Sequence, residues 1–327
     1  MDVSNSKTPL MVFAAIVAVY GIFGWLDVAN YAQGGWATDP ESVVTQVLPG
    51  SPSEAGGLQV GDKIMSLGGI ATSDADAQAR RNRPEVGETW EFVVQRDGAE
   101  VALDITFGEP VAQRKFNAHA SFVVGFCFIG FTLWAFMQRQ TESTAALLLA
   151  GTAFSLVFIG GPYFESFTVR SLNNLVSVFI VWFGIAAILN FLLVHLRSGG
   201  NRMYYIPALA ASLFIAWRIL ATPEATDALS NFANVFVGAI AAFYLIFSLV
   251  TVYRGYSGAS ASDRSANGLN LMLIGALVGF LPTIIGIVVG IISPQTVLPG
   301  QNFYLLSFIA IPIAWSMAVL KGGAAAD

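Results

Sequence analysis

The chain has 327 residues, of which 55% are hydrophobic and only 11% charged, whereas soluble domains carry about a quarter charged residues; most of it must face lipid. Residues 37–113 hold 13 acidic and 5 basic side chains, a balance of −8, and the remainder is +3. An acidic module joined to a weakly basic membrane body argues against nucleic acid as a partner, and the single cysteine, Cys127 in an apolar stretch, excludes an intrachain disulfide and argues against thiol chemistry.

Met1 to Thr8 is a short polar head with Lys7. Pro9 to Leu26 is an apolar run of 18 residues, enough to cross a hydrocarbon core of ~30 Å. A signal peptide is the rival reading. No small-x-small cleavage site follows, and Trp25 and Tyr31 suit interfacial anchors, so an uncleaved first helix over residues 1–29 is favoured.

Ser42 to Phe107 is the only long stretch too polar for a membrane. Val43 to Leu48 is a β-branched run stopped by Pro49-Gly50. Ser51 to Leu58 fits one capped helical turn closed by glycine. Gly61-Asp62 turns into the apolar strand Lys63 to Leu67, which Gly68-Gly69 ends. Thr72 to Arg83 fits a surface helix capped by Ser73. Trp90 to Gln95 and Glu100 to Phe107 alternate about Asp97-Gly98, a hairpin signal. The order predicts a compact α+β module over residues 30–113.

Val47-Leu48-Pro49-Gly50-Ser51-Pro52, Gly57 to Ile64 and Arg96-Asp97-Gly98 resemble the bacterial type of PDZ domain across roughly Tyr31 to Phe107. The resemblance implies a module that accepts an extended segment or chain end beside an exposed strand. The family's carboxylate-binding loop would fall near Tyr31-Ala32-Gln33-Gly34-Gly35, a stretch that departs from the usual loop pattern. Tyr31, Gln33, Gly34, Gly35 and Arg80 are thus the groove candidates. Bulky residues at Gly34 and Gly35 are expected to block capture while leaving the fold intact. A PDZ fold that packs on its own membrane domain and binds nothing extended is the alternative.

Beyond Arg114-Lys115, residues 114–327 hold seven further apolar segments: His119 to Met137, Thr144 to Gly161, Leu172 to Leu196, Met203 to Ala221, Asn231 to Tyr253, Leu269 to Ile292 and Phe303 to Leu320. Eight spans put both termini on one side. Lys7, Arg139, Arg197, Arg202, Arg254, Arg264 and Lys321 share that side, whereas Arg114, Lys115 and Arg170 lie opposite. The positive-inside rule then makes the termini cytoplasmic and the PDZ-like module extracytoplasmic, in a bacterial inner membrane. The chain ends about seven residues after its last span, with no output domain expected there.

No catalytic set is visible. His119 and His195 lie in different spans, without the zinc-protease spacing. Ser257 and Ser260 sit in a loop without a histidine base beside them. No metal or cofactor is expected, and a bound lipid or pigment stays open. Membrane-depth polar residues are functional candidates. Asn190 would hydrogen-bond across helices, and the other asparagines, Asn173 and Asn174 among them, would cap span starts. His195 lies at a helix end. Arg218 would snorkel, or pair with Glu165, Glu224 or Asp227, or hold an anionic head group. Pro282 and Pro312 would kink their spans, with Phe280 to Thr283 either a cavity wall or a packing kink.

Phe191-Leu192-Leu193-Val194-His195-Leu196, a basic turn and Tyr205-Ile206-Pro207-Ala208-Leu209 resemble the membrane input region of bacterial sensor histidine kinases and related phosphatases. Those combine one span, an outward PDZ-like module and about seven further spans; the kinase or phosphatase output has no counterpart here. The expectation is a polytopic α-helical membrane protein of eight helices with one inserted α+β PDZ-like domain. It is expected to be a non-enzymatic sensor or receptor input that binds a peptide or partner segment and signals through a partner. An accessory subunit of a larger membrane complex, with lateral protein and lipid contacts, is the alternative, and a degenerate intramembrane protease the third.

Overall fold

The computed structural model describes residues 3–196, 201–221, 227–292, 298, 300 and 303–323. Helix α1, Val3–Asp27, ends in a 3₁₀ turn, Val28–Asn30. Val12, Ile16, Val19 and Phe23, one helical face, are exposed as lipid-facing residues would be, while Ala14 and Val17 are buried on the other. Small residues let this helix close on the body. A Cβ on Gly24 would lie 2.0 Å from the Gly160 carbonyl oxygen, and one on Gly21 would lie 2.6 Å from Ile159.

The sheet domain follows as β1 Trp36–Thr38, β2 Val44–Val47, α2 Pro52–Ala55, β3 Lys63–Leu67, β4 Ile70–Ala71, α3 Ala75–Arg80, β5 Thr89–Arg96 and β6 Ala99–Thr106. β1 pairs with β2, and a second antiparallel sheet has the order β4-β3-β5-β6. Bridges Val43–Lys63 and Gln33–Gly108 link the two sheets. Alternation sets the core: Phe92 and Val94 of β5 point inward with Val44, Leu58, Ile64, Ile105 and Phe107. Trp36 and Trp90 close its rim edge-on, at 5.1 Å from Phe92 and 5.0 Å from Phe107. The hairpin turns at Asp97 (φ 51°) and Gly98 (φ 82°), the paired positive φ of a two-residue turn matched to strand twist. The expected surface helix is shorter, Ala75–Arg80, and its cap is Asp74 rather than Ser73. Ile70 and Ala71 are drawn into β4, and the Thr72 hydroxyl is spent on the Ile64 carbonyl at 2.8 Å.

The body comprises α4 Ala112–Gln138, α5 Glu142–Ser155, α6 Phe167–His195, a 3₁₀ turn Arg202–Tyr205 leading into α7 Ile206–Ala221, α8 Asp227–Gly258, α9 Ala261–Ala266, α10 Leu269–Ile292, α11 Tyr304–Ser307 and α12 Ala310–Gly323. Among the described residues seven helices are long and apolar enough to cross a membrane. The eighth expected span, Thr144 to Gly161, is different. α5 has 14 residues, a rise of about 21 Å, so it is not among the helices long enough to cross, and irregular backbone follows it. Part of that backbone is held by protein: the Ser121 hydroxyl donates to the Phe158 carbonyl at 2.8 Å, and the buried Ile159 fills the space beside Gly21 and Gly125. Non-helical backbone is tolerated at membrane depth only where the protein covers it.

Trp315 donates to the Met272 carbonyl, and Ser316 to that of Phe131. Phe303 packs on Phe116 at the domain end of α4, so α12 runs from that end to the opposite one. Pro282 lies inside α10, where the Ser307 hydroxyl takes up the neighbouring Gly279 carbonyl at 2.9 Å. Pro312 makes no mid-span kink. It sits in the first turn of α12, where no intrahelical N–H is needed, and the chain breaks earlier, between α11 and α12.

Candidate peptide edge and its junction with the bundle

Four strands of the domain, β1, β2, β4 and β6, have an edge without a strand partner, and they are treated differently. At β2 the Val44 amide donates to the Asp62 carbonyl and the Val44 carbonyl accepts from the Gly61 amide, both at 2.8 Å. At β4 the Gln78 amide donates to the Ile70 and Ala71 carbonyls, at 2.9 and 3.2 Å. At β6 the end of α2 lies so close that a Cβ on Gly56 would stand 2.9 Å from the Asp104 carbonyl oxygen. β1 pairs with β2 on one side, and Ala37 and Thr38 are exposed. The β1 edge is therefore where an extended segment can add backbone hydrogen bonds.

The stretch before it is not an open loop. Gln33 is 6% exposed; its backbone exchanges bonds with Gly108, and its side-chain oxygen accepts from the Val111 amide, the N-cap position of α4, at 3.1 Å. The Gly34 carbonyl accepts from Ser53, and the Gly35 carbonyl from Leu48. A Cβ on Gly34 would meet the Trp36 ring at 1.6 Å. One on Gly35 (φ +91°) would meet Ser51 at 2.2 Å. Bulky residues there would break the domain rather than block a groove selectively, which corrects the sequence expectation. Tyr31 packs with the α1 and α4 cluster, and burial pushes its hydroxyl pKa up. Arg80 pairs with Asp76 at 2.8 Å and lies over the Phe167 ring of α6 at 4.7 Å, so it faces the bundle. The five groove candidates thus frame the lead into β1 and the membrane face.

That face is built from residues the sequence reading passed over. Arg83 holds Asp27, the last residue of α1, through two bonds of 2.6 and 2.8 Å. The Tyr163 amide donates to the same carboxylate at 3.1 Å. Its hydroxyl accepts from the Arg83 amide at 2.9 Å and donates to Asn82 at 3.2 Å. Arg170 of α6 donates to the Tyr163 hydroxyl at 2.6 Å and to the Ala79 carbonyl at 3.0 Å, with longer contacts to the Arg80 and Arg81 carbonyls. Helix α6 thus satisfies the orphan carbonyls at the end of α3. The available signal was chemical: Asp27 and Arg170 close apolar segments beside a domain whose helix ends in Arg80-Arg81-Asn82-Arg83. A cavity of about 570 Å³ lies beneath, between Tyr20, Arg83, Arg114, Ile159, Arg170 and Asn174.

Inside the domain, Arg96 grips the buried Asp62 through two 2.7 Å bonds, and the Gln59 amide adds a third at 2.8 Å. The guanidinium holds the Asp62 carboxyl below the usual range. Of the membrane candidates, Asn190 has no hydrogen bond to another side chain among the described residues, against expectation. His195 stacks on Phe191 at 5.9 Å, Arg218 is in the last turn of α7, and Phe280, two residues before Pro282, packs on Phe308 at 5.7 Å. Glu224 lies outside the described residues. Asn190, His195, Arg218 and Pro282 line neither the junction cavity nor the apolar groove of about 690 Å³ between Phe13, Phe179 and Leu209.

Comparison with known proteins places a PDZ domain at residues 43–82, matched by a family model described as PDZ domain. The chain is also 40% identical over 70 residues to a probable periplasmic serine endoprotease DegP-like of Ectopseudomonas mendocina (strain ymp). That match covers 20% of this chain and 14% of that protein. The chain is therefore a PDZ-bearing protein with several helices fit to cross a membrane, and a PDZ domain points to interaction with peptide segments of other proteins.

Proposed function

We propose that this is a non-enzymatic protein of a bacterial inner membrane that captures an extended segment of another protein along β1 and reports occupancy to its helical bundle, as an input module signalling through a partner. The observation that carries this reading is the β1 edge, left open while Gln78 covers β4, α2 covers β6 and the Gly61-Asp62 turn bonds to β2. Coupling follows from what fastens β1. Three residues upstream, Gln33 is tied to the head of α4, and Tyr31 lies beneath Arg83 at 5.2 Å. A segment that stiffens β1 acts on the same residues that hold α1, α4 and α6, and linkage makes the effect reciprocal. The distribution of lysine and arginine supports an extracytoplasmic domain with cytoplasmic termini. The similarity to the DegP-like protease lies within the PDZ-like region and brings no catalytic residues with it.

Selection of displayed peptides on the intact chain in nanodiscs tests this reading. Enrichment of segments whose binding protects the Trp36–Thr38 amides supports it; enrichment of none, or protection elsewhere only, refutes it. A permanent subunit role is the second reading, favoured by α8, whose apolar stretch Val235–Gly258 is mostly left unburied by the rest of the chain. Gentle extraction that yields a fixed partner stoichiometry would favour it.

A further inference from the structure

The junction cavity has the chemistry of a second site. Its rim holds three guanidinium groups, Arg83, Arg114 and Arg170, against one carboxylate, Asp27. Arg83 neutralises Asp27 in a two-bond fork. Arg170 makes hydrogen bonds to neutral acceptors, and neither it nor Arg114 has a carboxylate within ion-pair distance among the described residues. Two positive charges therefore line the cavity without a counter-charge.

The asparagines of α6 have no role as caps. Ser166 caps that helix, so Asn173 and Asn174 lie two turns inside it and line the cavity with Ser177. The Asn173 side-chain oxygen already accepts from the Tyr20 hydroxyl at 3.0 Å. Deeper in the cavity the lining turns apolar, with Leu156 and Ile159. Tyr20 stands seven residues before the end of α1, about 10 Å below its charged rim. A cationic, amide-bearing mouth above an apolar floor, at the level of helix ends, matches an amphiphile with a negative head.

We propose that this cavity binds an anionic phospholipid, its phosphate held by Arg114 and Asn174 within the field of the Arg170 charge, and one chain laid along Tyr20, Leu156 and Ile159. The site does not depend on peptide capture at β1. A lipid there would sit against Tyr163 and Arg83, so its loss would loosen the joint between domain and bundle.

The intact chain in nanodiscs of phosphatidylcholine, with or without phosphatidylglycerol, provides the test, with retained lipid counted by native mass spectrometry. Wild type should retain phosphatidylglycerol in preference to phosphatidylcholine. Arg114→Gln, at an exposed position, should cut that preference about fivefold, the contribution of one basic side chain near a charged bilayer. Ser177→Trp, which fills the cavity without altering charge, should abolish retention; Arg202→Gln, beside the separate apolar groove, should leave it unchanged. Equal retention of both lipids would overturn the proposal, as would a preference that survives Arg114→Gln. Displacement of the lipid by inorganic phosphate alone would overturn the amphiphile and indicate a free anion.

Discussion

Replacing Arg170 by methionine keeps most of the side-chain length and removes the guanidinium that joins α6 to the end of α3. Its two strongest contacts, to the Tyr163 hydroxyl at 2.6 Å and the Ala79 carbonyl at 3.0 Å, involve a charged donor and would each be worth about 1.5–3 kcal/mol if fully buried. Arg170 is half-buried, and Tyr163 keeps its bonds to Asn82 and Asp27. The expected cost to docking is therefore about 2 kcal/mol, a factor of about 30 in the closed-to-open ratio. The reporter is the Arg83 amide, which donates to the Tyr163 hydroxyl. Its hydrogen exchange should accelerate by about that factor, while amides of β5 and β6 keep their protection. Lys115→Met removes an exposed pair with Glu109 and should change exchange at Arg83 by less than about twofold. An unchanged Arg83 amide in Arg170→Met would refute the strut; faster exchange throughout the sheet would show that the arginine supports the domain's fold instead.

The remaining expectations follow from single contacts. Because Arg96 depresses the Asp62 pKa below its ordinary 3.8, the pair's contribution is complete well above that value and is lost as pH falls through the lower, folded pKa. Asp62→Asn should lower domain stability at neutral pH by about 2–3 kcal/mol and flatten its acid sensitivity, read by thermal melting between neutral pH and pH 3. Gly35→Val should destabilise the domain by more than about 2 kcal/mol, since both its φ of +91° and the 2.2 Å approach to Ser51 exclude a side chain; a folded variant with normal melting would count against the packing described. Gly24→Leu should separate α1 from the Gly160 backbone and shift detergent-phase melting downward, with the sheet domain unaffected. A thiol at exposed Glu100→Cys, in a Cys127→Ala background, should react with an impermeant reagent added outside the cell; labelling only after the membrane is opened would reverse the orientation.

The sheet domain was largely legible because its signals are local. Asp97-Gly98 fixes the hairpin, Ser51 caps α2 through the Glu54 amide, and strand alternation gives β5 and β6. β1 was not legible: three residues after Gly34-Gly35 have no period to read. Apolar length located the seven long apolar helices among the described residues but not the interruptions between them. Thr144 to Gly161 reads as one helix, yet the glycines at 21, 24 and 125 draw irregular backbone into the bundle. Asn173 and Asn174 looked like caps because hydropathy starts the span at Leu172, whereas Ser166 starts the helix. The junction escaped because its pairings lie far apart in sequence: Arg83 with Asp27, and Arg170 with α3. No local pattern encodes such contacts.

Hydrogen exchange on the intact chain, with and without a segment selected for binding, tests most directly whether capture at the open edge is tied to the membrane body. The account predicts protection at Trp36–Thr38 together with changed exchange at the Arg83 and Tyr163 amides, and weaker binding of the same segment by Arg170→Met. Protection at β1 with no response at Arg83 or Tyr163, and equal affinity in Arg170→Met, would contradict it.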